Sequence, residues 1–283
     1  MALQANRKTA IRVGVVAPGS RIEPAVAEQV TRLAASFGAE ICFLPQCFLS
    51  SGHFAGDDAA RARAFVEVAN DPSFDALWFA RGGYGCGRLI DRVLPALTAV
   101  ARHKTYLGYS DAGFLLAALY GQGFSHLAHG PMPSDINRAD GERAIERALA
   151  FLAEGRAACL EASVGPGRPT AAFNITVFCH LIGTPWLPDL SGHVLMLEEV
   201  SEYMYAIDRC LFHITAHPAM RDLAGIRLGR CSAIPANQPD FGQTEEEVVR
   251  SWCERSGIPY LGRADIGHDS DNKVVPFGRW RGP

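Results

Sequence analysis

Three short stretches of the chain carry side chains suited to covalent chemistry. Gly108-Tyr109-Ser110-Asp111 closes the apolar run Thr105–Gly108 and opens into Ala112–Tyr120. Strand, sharp turn, serine and helix in that order are the layout of a nucleophile elbow. Such a turn lifts the hydroxyl over the sheet edge and sets the next amide at a helix N-terminus. The usual elbow is Gly-x-Ser-x-Gly, whereas here the second glycine, Gly113, comes one position late. The plainer alternative is that Ser110 or Asp111 only caps the helix. Upstream, Ala80-Arg81-Gly82-Gly83-Tyr84-Gly85-Cys86-Gly87 follows another apolar run. Its glycines permit positive φ and close backbone approach, which suits an amide nest for an oxyanion or a simple tight turn. The order matches neither Gly-x-Gly-x-x-Gly nor Gly-Lys-[Ser/Thr], so a nucleotide site is not expected.

A serine nucleophile needs a base, and the chain has nine histidines. His126/His129 and His213/His217 have metal-like spacing without carboxylate or cysteine companions, so they are read as packing or surface groups and no metal is expected. His53 and His103 lie in polar, loop-like contexts. His268 stands apart in Ala264-Asp265-Ile266-Gly267-His268-Asp269-Ser270, a loop just before a strand, where catalytic groups concentrate. The base needs an orienting carboxylate, and Val194-Leu195-Met196-Leu197-Glu198-Glu199 ends an apolar strand in two of them. Neighbours on a strand point to opposite faces, so Glu198 and Glu199 cannot both serve one site.

The elements that must position these groups alternate. Strands are expected at Ile11–Ala17, Glu40–Leu44, Ala76–Ala80, Thr105–Gly108 and His126–His129. Helices are expected at Glu23–Phe37, Asp57–Ala69, Leu89–Arg102 (with Pro95 a candidate break), Asp111–Tyr120 and Asp140–Ala153. That alternation predicts an α/β fold with a parallel sheet covered on both faces and ligands at the strand C-termini. Gly165-Pro166-Gly167-Arg168-Pro169 is a cluster of breakers and marks a linker. Beyond it come the segment Thr176–Ile182, strands at His193–Leu197, Ile226–Cys231 and Val274–Phe277, and helices at Tyr205–His217 and Thr244–Ser256. These read as an α+β unit with mixed strand pairing.

Composition excludes several classes. Twenty-seven Lys+Arg against 30 Asp+Glu leave a net charge of −3, which advertises no polyanion, so no nucleic-acid partner is expected. The charge-free stretches Ala112–Ser134 and Pro169–Pro188 are interrupted by Gly, Pro and His, short of the ~20 apolar residues of a membrane span. Arg7 and Lys8 are followed by Thr9–Ala17, but Arg12 interrupts any hydrophobic signal region and Val13–Ala17 reads as a buried strand, so no export is expected, and the eight cysteines, none in Cys-x-x-Cys, suit reduced thiols in the cytoplasm.

Taken together, the segments resemble the LD-carboxypeptidase family of serine peptidases, which includes murein tetrapeptide carboxypeptidases and microcin-C self-immunity proteins. The resemblance rests on Val13–Ser20, Ala80–Gly85 with Arg88-Leu89-Ile90, Gly108–Asp111, His129-Gly130-Pro131-Met132, Leu181–Pro185, Leu195–Glu199 with Glu202, and Asp265–His268, all in order along nearly the whole chain. It implies Ser110 as nucleophile, His268 as general base, Glu198 as the orienting acid, and an oxyanion hole from the amide of Asp111 with that of Gly82 or Gly83. It also implies a Rossmann-like domain over residues 1–164 carrying nucleophile and oxyanion hole, and a smaller α+β domain over 170–283 carrying the other two triad members. A homodimer without metal or organic cofactor is implied as well, acting on murein tetrapeptide in cell-wall recycling. Alternatives are hydrolysis of an aminoacyl-nucleotide antibiotic, for which Trp186 or Trp78 would be the candidate base platform, or a binding protein without activity. The family pattern is departed from at Ala171-Ala172-Phe173-Asn174, at Glu199 and at Asp269-Ser270-Asp271.

Overall fold

The computed structural model describes residues 10–282; Arg7 and Lys8 lie outside them. The first half builds strands β1 (Ile11–Val16), β2 (Ala39–Phe43), β3 (Ala76–Phe79), β4 (Thr105–Gly108) and β5 (Leu127–His129). Between and after them come helices α1 (Pro24–Ala34), α2 (Asp58–Asn70), α3 (Ile90–Val93), α4 (Gly113–Gly121) and α5 (Gly141–Glu154). Local chemistry explains the boundaries. Pro24 opens α1, where a missing N–H removes no helical hydrogen bond. Asp57 caps α2 by accepting from the Ala60 amide at 2.6 Å. The stretch expected as one helix over Leu89–Arg102 is instead the single turn α3 flanked by 3-10 turns, since Pro95 falls inside it.

The second half adds β6 (Thr170–Asn174), α6 (Ile175–Leu181), β7 (Val194–Val200), α7 (Met204–Ala216), β8 (Gly225–Ser232), α8 (Glu245–Ser256), β9 (Tyr260–Arg263) and β10 (Val275–Pro276). Two of these strands, β6 and β9, were not anticipated. The pairing differs from the mixed arrangement expected: β6, β7, β8 and β9 form a four-stranded sheet that is parallel throughout. The reason is that each connection passes through a helix, and a helical crossover returns the chain in the same direction. The α/β class holds in both halves.

β10 leaves the second half altogether. The larger sheet runs β10-β5-β4-β3-β1-β2, with β1 to β5 parallel and β10 antiparallel on β5, where Val275 faces His129. The chain's last strand therefore returns to the first sheet beside the strand that follows Ser110. Just before that return lies the loop with His268. Among the described residues no helix is long and apolar enough to cross a membrane.

Candidate active site

Ser110 sits one residue beyond the end of β4. Tyr109 is still extended, but Ser110 turns to φ +60°, a left-handed conformation that residues with a Cβ adopt only under constraint. A 3-10 turn over Ser110–Ala112 then feeds α4. Glycines make room for this turn. A Cβ on Gly108 would lie 2.8 Å from Phe79 Cβ, and one on Gly82 would lie 2.9 Å from Ser110 Oγ. Gly82 is thus pressed against the hydroxyl. Gly83, at φ +96°, turns toward Ser20 instead. Asp111 does not cap α4 with its side chain; its buried carboxylate accepts from the Cys86 amide at 2.8 Å, and burial raises its pKa.

Glu198 and His268 come from the other half. Glu198 is fully buried near the end of β7, where the β7–β8 register shifts. Gly229 on β8 lets the chains close there, since an added Cβ would be 2.8 Å from Glu198 Cβ. His268 Nδ1 meets Glu198 Oε2 at 2.6 Å, and His268 Nε2 meets Ser110 Oγ at 3.1 Å. A carboxylate only accepts, so Nδ1 carries the proton and Nε2 is left to accept from the serine. Burial opposes an imidazolium here, but the Glu198 charge and its hydrogen bond outweigh it, and the His268 pKa is raised. Glu198 Oε1 is buried without a hydrogen-bond partner among the described residues, so the imidazole is the carboxylate's sole partner there.

Glu199 points the other way. It accepts from Asn174 Nδ2 at 2.5 Å, from the Thr176 amide and hydroxyl at 2.9 and 2.7 Å, and from the Val200 amide at 2.9 Å. It fastens the start of α6 to β7, with a pKa raised by burial. Asp269, next to the histidine, gives its carboxylate to Arg230, which also binds Asp265 on the other side of His268.

Around the loop, Asn272 and Arg147 are groups that no motif or spacing singled out. Asn272 is fully buried; its Oδ1 accepts from the Gly267 amide at 3.2 Å and faces His129 Nε2 at 3.2 Å. Burial lowers the His129 pKa to about 4, so it is neutral near pH 7 and donates to Asn272. Its partner is 143 residues away, so the spacing with His126 points only to a packing or surface group. Arg147 Nη1 donates to the Ser270 and Asn272 carbonyls at 2.7 and 3.0 Å. The Tyr109 ring lies 4.8 Å from that of His268, and its hydroxyl donates to Asp135 at 2.8 Å. Trp78, a candidate platform for a base, is instead fully buried in β3, with its indole N–H on the Pro131 carbonyl. Trp186 is only partly buried, packed against the core.

The chain has relatives along nearly its full length. The pattern of the LD-carboxypeptidase N-terminal domain matches residues 13–130, and that of the LD-carboxypeptidase C-terminal domain matches residues 169–281. A Synechocystis sp. relative is 33% identical over 277 residues, covering 94% of this chain and 89% of its own. The murein tetrapeptide carboxypeptidase of Pseudomonas aeruginosa is 25% identical, with 95% of this chain and 91% of the relative covered. Among solved structures, the muramoyltetrapeptide carboxypeptidase of Oxalobacter formigenes superposes with a TM-score of 0.78 at 25% identity, over 94% of this chain and 92% of that one. With both domain patterns matched in order and a relative this similar from end to end, the chain belongs to the LD-carboxypeptidase family.

Proposed function

We propose that this protein is a serine LD-carboxypeptidase that removes the terminal D-alanine from murein tetrapeptide in the cytoplasm, during cell-wall recycling, as a homodimer. The observation that carries the reading is the continuous relay Ser110 Oγ–His268 Nε2 (3.1 Å) and His268 Nδ1–Glu198 (2.6 Å), assembled from two sheets. The substrate follows from the murein peptide carboxypeptidases among the relatives.

In this mechanism Ser110 Oγ attacks the carbonyl of the L-configured centre while its proton passes to His268 Nε2. Glu198 holds the Nδ1 proton and stabilises the imidazolium that forms. The Asp111 amide, with that of Gly82 or Gly83, receives the oxyanion. The C–N bond then breaks as His268 returns the proton to the amine of D-alanine. Water, deprotonated by the same imidazole, releases the acyl group from Ser110. No step calls on a metal or organic cofactor. Residues 1–164 supply the nucleophile and oxyanion hole, and residues 170–283 the base and acid.

The test is mass-spectrometric detection of D-alanine and tripeptide from purified murein tetrapeptide, beside an aminoacyl-nucleotide conjugate. Release from the tetrapeptide is expected. Hydrolysis of the conjugate alone would transfer the same triad to a different substrate.

A further inference from the structure

The loop Ala17-Pro18-Gly19-Ser20, which follows β1, has no part in the triad. Its place in the sheet brings it close to one. β3 lies between β4 and β1, and the three strands are parallel, so the loops that follow them stand side by side at one edge. The glycine loop after β3 is therefore flanked by Ser110 on one side and by Gly19 and Ser20 on the other.

Every residue of the loop after β1 is fixed. Gln46 is buried; its Oε1 accepts from the Ala17 amide at 3.1 Å, and its Nε2 donates to the Ala17 and Ala55 carbonyls at 2.8 and 2.6 Å. The Gly19 carbonyl accepts from the Ala55 amide at 3.0 Å. Arg61 is fully buried and donates to the Pro18 carbonyl and, at 3.1 Å, to the Gly85 carbonyl, so one guanidinium joins this loop to the glycine loop.

The remaining contact is with the Gly82 carbonyl. The Ser20 amide donates to it at 3.4 Å. Gly19 turns a Cα–H toward the same oxygen, since an added Cβ would lie 2.7 Å from it. The Gly82 carbonyl thus points to the β1 side. The Gly82–Gly83 peptide is trans, so the Gly83 N–H points the opposite way, to the β4 side where Ser110 stands. That N–H also lies on the same side of the C–N bond as the Gly82 Cα, whose face meets Ser110 Oγ. Among the described residues the Gly83 N–H has no acceptor, and no hydrogen bond orients the Arg81–Gly82 peptide in the same way.

We propose that the loop after β1 is a positioning element of the oxyanion hole: Gly19 and the Ser20 amide set the Gly82–Gly83 peptide so that the Gly83 N–H, rather than that of Gly82, meets the oxyanion together with the Asp111 amide. This rests on the hydrolase reading above. A donor aimed in advance needs no reorganisation when the charge appears.

The experiment uses the full chain with two separate changes. One is Gly19→Ala, which drives a methyl group against the Gly82 oxygen. The other replaces Gly83 by glycolic acid, which exchanges its N–H for an ester oxygen. The readouts are kcat and KM for the tetrapeptide, the acid limb of the pH profile, Tm, and the affinity of a peptide boronic acid that forms a tetrahedral adduct on Ser110. Each change is expected to lower kcat per titrated active site by about 10²-fold, the scale of one oxyanion-hole donor, and to weaken the boronic acid by a similar factor. KM and the acid limb, which His268 sets, should stay in place. A merely structural role would lower Tm and the number of active sites but not kcat per site. Full kcat in the Gly83 ester would mean that this amide is not the donor, and full kcat in Gly19→Ala would mean that the loop does not aim it. Either result overturns the proposal and leaves the hydrolase reading standing. If wild type neither forms the boronic acid adduct nor cleaves the tetrapeptide, the hydrolase reading falls and this proposal falls with it.

Discussion

At the residue scale the site is an electrostatic arrangement around one imidazole. Removing the hydroxyl tests the nucleophile: Ser110→Ala is expected to fold normally and to lose about 10³-fold or more in kcat, read by D-alanine release. The pH profile tests the base. In the proposed mechanism His268 works as the neutral imidazole, and its pKa lies above the ordinary value because Glu198 stabilises the charged form. Activity should therefore fall as pH drops through a value above ~6.5, the ordinary histidine pKa. Glu198→Gln removes the negative charge, which disfavours the imidazolium. The acid limb should move to lower pH while kcat drops by roughly 10⁴-fold, the scale of losing the correct tautomer in such triads. A limb that stays in place would show that Glu198 does not set the titration. Ser110 and His268 could be marked as candidates from sequence because each sits at a turn or loop beside a recognisable element, whereas the residue pattern left Glu198 and Glu199 open and only the family resemblance favoured Glu198. The neutral state of His129 could not be read in this way, since it follows from burial alone.

At the element scale, the loop before β10 decides whether His268 is held. Asn272 ties the loop's Gly267 amide to His129, so Asn272→Ala leaves two buried donors unmet. A stability loss of about 1–3 kcal/mol per group is expected from unpaired buried donors, visible as a lower Tm. Turnover should fall more than the binding of substrate, because the histidine loses its positioning. Asn272→Asp, which keeps the acceptor, should recover part of both. The close strand contact behind Glu198 makes a second test. A Cβ on Gly229 would lie 2.7 Å from Ile266 Cγ1 and 2.8 Å from both the Ile266 carbonyl and Glu198 Cβ. Gly229→Ala should therefore destabilise by about 1–3 kcal/mol through overpacking and shift Glu198 against His268. Unchanged Tm and kcat would mean that the β7–β8 contact has slack. Such contacts were not legible beforehand: nothing local in the sequence of β8 says that Ile266 will lie against Gly229.

At the scale of the whole molecule, the proposed activity depends on two sheets keeping a fixed relation. Ser110 follows a strand of one and Glu198 lies in a strand of the other, with β10 fastened to the first. Gly113, at the start of α4, faces Phe173 and Val177, where a Cβ would come within 3.2 and 3.1 Å. A branched side chain there has nowhere to go. Gly113→Val should wedge the halves apart, lowering kcat and fluorophosphonate labelling of Ser110 by more than the change in Tm would suggest. Equal labelling in wild type and variant would show that this contact does not govern the distance between Ser110 and His268.

Sequence by itself determined the alternation of strands and helices in the first half, because apolar period and glycine or proline punctuation are local properties. It also determined the residue types at the centre of the site, since a serine at a strand-to-helix turn and a histidine in a glycine-bearing loop are local patterns too. Tertiary structure alone decided that the second sheet is parallel, that the last strand crosses to the first sheet, and that Glu198 rather than Glu199 meets His268. Two carboxylates on adjacent strand positions have identical sequence surroundings. Only the packing of β7 determines that one faces the imidazole and the other faces Asn174 and Thr176.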